Sequence, residues 1–480
     1  MKKYIILFCF CLLEISGFSQ PIIFKKNYDT LGYYYSNCVR QTLDGGYIMC
    51  GSNYTTVNTQ DAAIIKTDSA GNLEWIKTYG GFSTDGAITL EVSNDSNYFV
   101  FGIKDAISSW QNDFWFLKLN SQGDTVFTKI LSFGPGVNYP KGSDRTLDNG
   151  YVITGYTSAI GSGLHDVFLV KLDSLGNTLW IKTYGGTNGD YGNSVFKTAD
   201  SGYIVTGYTG SFNTLLGDVY TIKTDKYGDT LWTRTFGFGN YDFGQSIAET
   251  SDHGFLVAGA SYDTGGTNYN TLLLRYDSIG QLLWSKEFFI PVEDVPIAIY
   301  PLSGGGFILG GYQANAITHH YQVFLMQIDD FGDSLWTRTS PLPTPSTSDI
   351  ALSMIINRNG DYVFTGKSDD PHSGFLMIAD TSGNFLSKVS EIPMVNNYLI
   401  YPNPANSFLS IVNRGLLYSS TRYELINLFG NLVLSHNVER SLNDVQINVS
   451  EIPSGIYFIR IYKDNDILQV TKLIIVHPKS

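Results

Sequence analysis

The chain has 480 residues, with 31 Lys and Arg against 44 Asp and Glu and a formal net charge of −13. An acidic chain without basic clusters excludes nucleic-acid binding and polybasic docking on anionic lipid, since both rest on Lys and Arg. Abundant Gly (49), Tyr (32) and Phe (29), with 16% charged residues, exclude a helical bundle and point to many short strands joined by glycine turns.

The first element is a leader. Lys2 and Lys3 form a charged segment, Ile5–Leu13 an apolar one, and Gly17-Phe18-Ser19 a small-residue cleavage site. Residues 1–19 therefore read as a signal peptide, with Gln20 opening the mature chain. No apolar run is long enough to cross a bilayer as a helix, so an exported protein without a transmembrane segment is expected. Cys9 and Cys11 leave with the leader. Cys38 and Cys50 remain, on strands expected to pair across a tight turn, and export permits a disulfide there as readily as burial permits two thiols.

Residues 20–390 are dominated by a repeat. An aromatic recurs at Tyr47, Tyr98, Tyr151, Tyr203, Phe255, Phe307 and Tyr362, with glycine four residues beyond each. A second turn recurs at Asp68, Asn120, Asp173, Asp225, Asp277, Asp329 and Asp380, each followed three residues later by glycine. Then come Trp75, Phe127, Trp180, Trp232, Trp284 and Trp336, a column that Ser387 breaks in the seventh copy. Each unit holds four β runs, predicted in the fifth copy over residues 246–250, 255–259, 271–276 and 282–288. Seven units without intervening helices predict an all-β protein, a seven-bladed β-propeller, with the Trp column packing between blades. Phe24 stands in that column ahead of the first unit, so residues 22–28 are an extra fourth strand that either completes the last blade or extends an edge.

The pattern Asp-x-Gly-Tyr-Ile-Val-x-Gly followed by Asp-x-x-x-x-Lys-x-Asp-x-x-Gly is carried best by Asp200–Gly207 with Asp218–Asp229 and by Asp148–Gly155 with Asp166–Asn177. It resembles the delta-60 type of propeller repeat and, more distantly, kelch repeats. That resemblance covers residues 30 to 390 and implies a fold, not an activity.

After Ser390 the repeat stops. Residues 391–397 are a linker, and 398–480 change to short strands with polar turns, which predicts a small Ig-like β-sandwich. Tyr401-Pro402-Asn403-Pro404-Ala405 opens this region, Asn427–Val433 with Gly430 lies in its middle, and Pro453, Gly455, Tyr457 and Lys472 follow in order. Together they resemble the type A sorting domain of type IX secretion. The resemblance implies passage through the periplasm, recognition by the type IX machinery, removal by its sorting protease, and a secreted or outer-membrane-attached product.

Candidate sites follow from the repeat. Asp85, Asp190, Asp242, Asp294 and Asp349, with Asn138 and Tyr34 in register, recur once per blade. They read chiefly as caps on a loop entering a strand, with a channel ring holding Ca²⁺ as the alternative. A second acidic column (Asp61, Asp113, Asp166, Asp218) with Lys66, Lys118, Lys171 and Lys223 reads as solvated surface pairs. The variable loops between second and third strands carry Trp110, Tyr156, Tyr208, Tyr262, Tyr269, Tyr312 and Tyr321, aromatic platforms suited to glycan or protein ligands. No nucleophile elbow, phosphate loop, dinucleotide fingerprint or zinc spacing is present, so no catalytic residue is assigned. The expected function is a non-catalytic surface propeller that binds through its loop face. A polysaccharide-acting hydrolase or lyase and a structural adhesion component are the alternatives.

Overall fold

In the computed structural model every helix and strand described is a strand. The structure describes residues 24–477 apart from 30–32, 57–58, 82, 109–110, 213–215, 263–267, 289–291, 342–346, 370–371, 386–397, 403, 414–420, 428–430, 439–443 and 464–465. The chain divides into two compact units after Ser387. The expected leader at 1–19 and linker at 391–397 lie outside the described residues, as do Trp110, Asn403 and Gly430.

Among the described residues, the first unit consists of seven four-stranded antiparallel sheets. Blade 1 contains Tyr33–Gln41, Tyr47–Thr56, Thr59–Thr67 and Leu73–Tyr79, and five further blades repeat that order through Ser334–Thr339. Blade 7 has only three consecutive strands, Asp349–Ile356, Tyr362–Ser368 and Ser373–Ala379. Its fourth is Phe24–Tyr28, with Phe24 opposite Ile378 and Tyr28 opposite Gly374. The extra strand thus completes the last blade. First strands of successive blades abut one another, and that of blade 7 abuts that of blade 1, so the ring is closed and its central edges are covered.

The turns form as their residues dictate. Asp173 accepts hydrogen bonds from the amides of Leu175 (2.9 Å) and Asn177 (2.7 Å), and Gly176 closes the turn at φ +76°. The Trp column packs on the same glycine of the following blade. A methyl group on Gly228 would stand 2.8 Å from Trp180 Cζ3, and one on Gly280 2.7 Å from Trp232 Cδ2. Phe24 takes this place at the seam, against Gly71 of blade 1.

One device was not read from the sequence. The first strand of every blade carries a one-residue bulge, at Asn37, Ile88, Lys141, Asn193, Gln245, Ile297 and Leu352. The extra residue breaks the period-2 pattern. For that reason the fifth copy was expected to begin its first strand at 246, whereas the strand runs Asp242–Glu249.

The lysine column also needs correcting. Lys66, Lys171 and Lys223 are buried, not solvated, and their partners are the hairpin-turn carboxylates Asp44 (3.0 Å), Asp148 (2.9 Å) and Asp200 (2.8 Å). Five residues separate each lysine from its acidic column mate, an odd step that turns the two onto opposite faces of a strand.

The second unit is an Ig-like sandwich. One sheet contains Tyr398–Tyr401, Phe408–Asn413 and Asp444–Asn448; the other contains Leu432–Val438, Thr421–Asn427, Gly455–Lys463 and Asp466–Ile475. Leu409, Ile411, Leu425, Ile447, Ile459 and Leu473 fill the space between. The sorting motif residues hold its ends together. Ala405, just after Pro402 and Pro404, pairs with the last strand through Ile474 O and Val476 N, both 2.8 Å. Tyr457 donates to Pro453 O (2.8 Å) beside Gly455, and Lys472 lies on the last strand opposite Phe458.

Candidate functional site

First strands begin, second strands end and third strands begin at one end of the ring, so their terminal side chains share a face. Tyrosine dominates it. Tyr139 stacks on Tyr156 (ring centroids 5.4 Å), Tyr156 meets Tyr191 (4.8 Å), and Tyr191 meets Tyr208 (5.6 Å). Tyr208 stacks on Tyr241 (4.8 Å), and Tyr241, Phe243, Tyr269 and Tyr262 continue the run into blade 5. Tyr312 and Tyr321 form a separate edge-to-face pair in blade 6 (5.5 Å), where Tyr321 donates to Glu293 (2.8 Å). A further group joins Tyr33, Tyr35, Tyr54 and His372 across the seam.

The structure therefore brings Tyr156, Tyr208, Tyr262 and Tyr269 into one contiguous belt and sets Tyr312 and Tyr321 beside each other. Tyr139, Tyr191, Tyr241 and Phe243 belong to the belt but escaped the loop-based reading, since they sit on or just before first strands. Their signal was present: Tyr139, Tyr191 and Phe243 each directly follow the Asp/Asn column. Partial burial pushes the phenols of Tyr156, Tyr191 and Tyr241 up, so they stay protonated and can donate as well as accept.

The acidic column is buried between blades. Asp190 accepts from Gly186 N (2.7 Å) and the hydroxyls of Ser211 (2.9 Å) and Thr209. Asp242 accepts from Phe238 N (2.8 Å), and Asp294 from Thr271 Oγ1 (2.5 Å) and Thr271 N (3.2 Å) on the preceding blade. Lys25 of the closing strand reaches Asp349 at 2.6 Å, and Lys104 lies 3.5 Å from Asp85. Burial, with Glu287 and Glu293 adding to it, raises the Asp294 carboxyl to about 7 against the Thr271 bonds. The carboxylates have different local partners, and one oxygen each of Asp242 and Asp294 is buried without a hydrogen bond. Among the described residues, no group of three or more His, Cys, Asp or Glu side chains is placed to hold a metal ion.

The bulges shape a second region. All seven bulge residues line a cavity of about 320 Å³ on the ring axis. Its polar wall holds Arg40 bridged to Glu91 (2.8 Å), with Ser143 donating to the same Glu91 oxygen (2.9 Å). Asp144 pairs with Lys197 (3.1 Å), and burial lowers Lys141 from the usual amine range. Arg40 Nη1 also lies 3.1 Å from Cys38 Sγ.

No curated protein matches the sequence. Similar solved structures include PorZ, a surface component of the type IX secretion system of Porphyromonas gingivalis, at 12% identity and TM-score 0.44, covering 90% of this chain and 58% of that one. The chain thus spans 58% of the length of PorZ. Polysaccharide lyase Uly1 matches at 11% identity and TM-score 0.48 over 72% of this chain and 90% of its own. The WD40 domain of Neurospora crassa Pan2 does so at 9% and 0.47, over 73% and 90%. Residues 399–477 match the secretion system C-terminal sorting domain, so this β-propeller is exported to the cell surface through type IX secretion.

Proposed function

We propose that the propeller is a non-catalytic, surface-displayed binding module whose loop face holds an extended, weakly charged glycan, and that the sorting domain is removed by the sorting protease of the type IX machinery. The unbroken run of ring contacts from Tyr139 to Tyr262 supports the binding reading. Sugar rings present apolar C–H faces and hydroxyl rims, and a row of half-buried phenols offers flat apolar surface edged by hydroxyl groups. Rings already fixed against one another lose little rotamer freedom on binding.

A catalytic reading rests on His165 Nδ1, 3.2 Å from the Tyr191 hydroxyl. Burial pushes that phenol up and that imidazole down, which leaves both neutral near pH 7. Neutral groups suit hydrogen bonding to hydroxyls better than proton abstraction. Neutral and acidic polysaccharides presented to the full chain should reveal at least one ligand, and Tyr156→Ala with Tyr208→Ala should weaken it at least tenfold. Undiminished binding by the double variant, uniformly blank polysaccharides, or release of shortened sugar chains would overturn the proposal.

A further inference from the structure

The channel wall holds a sulfur atom beside a second one. Cys38 and Cys50 are register partners on the first two strands of blade 1. Both are buried and unbonded, and Cys38 lines the axial cavity. Antiparallel partners hold their Cα atoms roughly 4.5–5.5 Å apart, within the range of roughly 4.4–6.8 Å that a disulfide spans.

We propose that Cys38 and Cys50 are a redox site: a dithiol that closes to a cross-strand disulfide by exchange with an external disulfide, Cys38 attacking and Cys50 resolving. Three features assign these roles. Of the two, only Cys38 lines the cavity, which makes it the attacking sulfur. Its sulfur accepts from Arg40 Nη1 at 3.1 Å, a cation set against the site where thiolate charge resides. Cys50, its register partner, is fully buried and does not line the cavity.

These contacts divide the two sulfurs. The Cys50 hydrogen bond and the Arg40 charge, opposed by burial and by Glu91, hold the Cys38 thiol at about 6, while burial and the neighbouring Cys38 push Cys50 up. Tyr300, Asp144 with its partner Lys197, and Lys141 are the other titratable groups at this wall; burial raises Tyr300 and Asp144 and lowers Lys141. Two inert core thiols would have no cation at bonding distance and no place in a cavity wall.

The reaction balances as thiol–disulfide exchange. The Cys38 thiolate attacks one sulfur of the external disulfide, forming a mixed disulfide and releasing one external thiolate. Cys50 then attacks the Cys38 sulfur, and its proton passes to a departing thiolate. The external S–S bond breaks and the Cys38–Cys50 bond forms. The pair loses two electrons and two protons, and the external disulfide becomes two thiols. The periplasm and the cell exterior, which the exported chain traverses, supply disulfides of this kind.

The test incubates the full chain, produced reduced, with glutathione disulfide, then blocks remaining thiols under denaturing conditions and maps them by peptide mass spectrometry, which separates them from Cys9 and Cys11. Cys38 and Cys50 should leave the alkylatable pool together as one linked peptide pair. Cys50→Ser should stop at a glutathione adduct on Cys38, and Cys38→Ser should leave Cys50 free. Arg40→Met combined with Glu91→Gln, which strands no charge, should slow exchange at pH 7 on the order of tenfold and move its pH midpoint upward. If that variant does not fold, the iodoacetamide profile of the parent protein decides: a midpoint near 6 at Cys38 upholds the site, and about 8.5, the ordinary thiol value, overturns it. Both thiols still alkylatable after incubation, Cys50 reacting first, or disulfide-linked dimers would also overturn it.

Discussion

Blades 4 and 7 perform the same packing with different chain connectivity. Blade 4 is one continuous run of four consecutive strands from Asp190–Lys197 to Thr230–Phe236. Blade 7 borrows Phe24–Tyr28 from the other end of the propeller. The contacts nevertheless repeat: Tyr184 of blade 3 donates to Gly228 O of blade 4 (2.6 Å), and Tyr28 donates to Gly71 O of blade 1 (2.8 Å). Joining strands so far apart in sequence costs about 3–4 kcal/mol more than closing a hairpin, by the logarithmic growth of loop entropy. The seam carries an added contact: Lys25 meets the buried Asp349, where blade 4 satisfies Asp190 with hydroxyls and an amide.

That contrast fails if Lys25→Met is harmless. The substitution leaves the Asp349 carboxylate, 1% exposed, without its cation, and should cost about 3–5 kcal/mol in chemical denaturation. A loss below ~1 kcal/mol would mean that the seam does not depend on this ion pair.

Glycine substitution separates the two junctions next. Gly228→Ala places a methyl at φ +79° against Trp180 and should lower stability by about 2–3 kcal/mol in a single cooperative transition. Gly71→Ala, at φ +73° under Phe24, should instead release the closing strand, with amide exchange accelerating at residues 24–28 while blade 4 stays protected. Identical exchange patterns for both variants would erase the distinction.

The smallest effect compares Asp294 with Asp349, equivalent positions of which only the second has a lysine beside it. Asp294 binds its proton up to about pH 7 in the fold but only up to about 4 when unfolded, so its contribution is complete at acid pH and drains away as pH rises from 4 to 7. Asp294→Asn should flatten that slope and, above pH 7, stabilise the protein on the order of 1–3 kcal/mol. An unchanged slope in thermal melts across this range would show that the carboxyl is already charged at neutral pH.

Much of this architecture was written in columns. Trp180 and Gly228 recur at fixed spacing because every blade must press a flat ring onto the next blade's turn, and the sorting region announced itself through Pro402, Pro404, Gly455 and Tyr457 in order. What stayed hidden had no residue signature. A bulge residue is Asn in one blade, Lys, Gln or Ile in another, since it needs only to be extra, and without the bulges neither the channel wall nor the exposure of Cys38 to it is foreseeable. Lys171 misled for a related reason: its sequence neighbours suggested a surface pair with Asp166, while the pleat turned it inward to Asp148. The belt was half visible: Tyr156 and Tyr208 were read as loop residues although they end second strands, and Tyr139 and Tyr191 on first strands were passed over.

The borrowed strand also sets an order of events. A polypeptide delivered from its amino terminus presents Phe24–Tyr28 before any partner exists, and that partner, Ser373–Ala379, is nearly the last of the propeller to appear. Six blades can assemble while the seventh gapes, so the ring stays unlatched until the segment that carries its export address is about to follow.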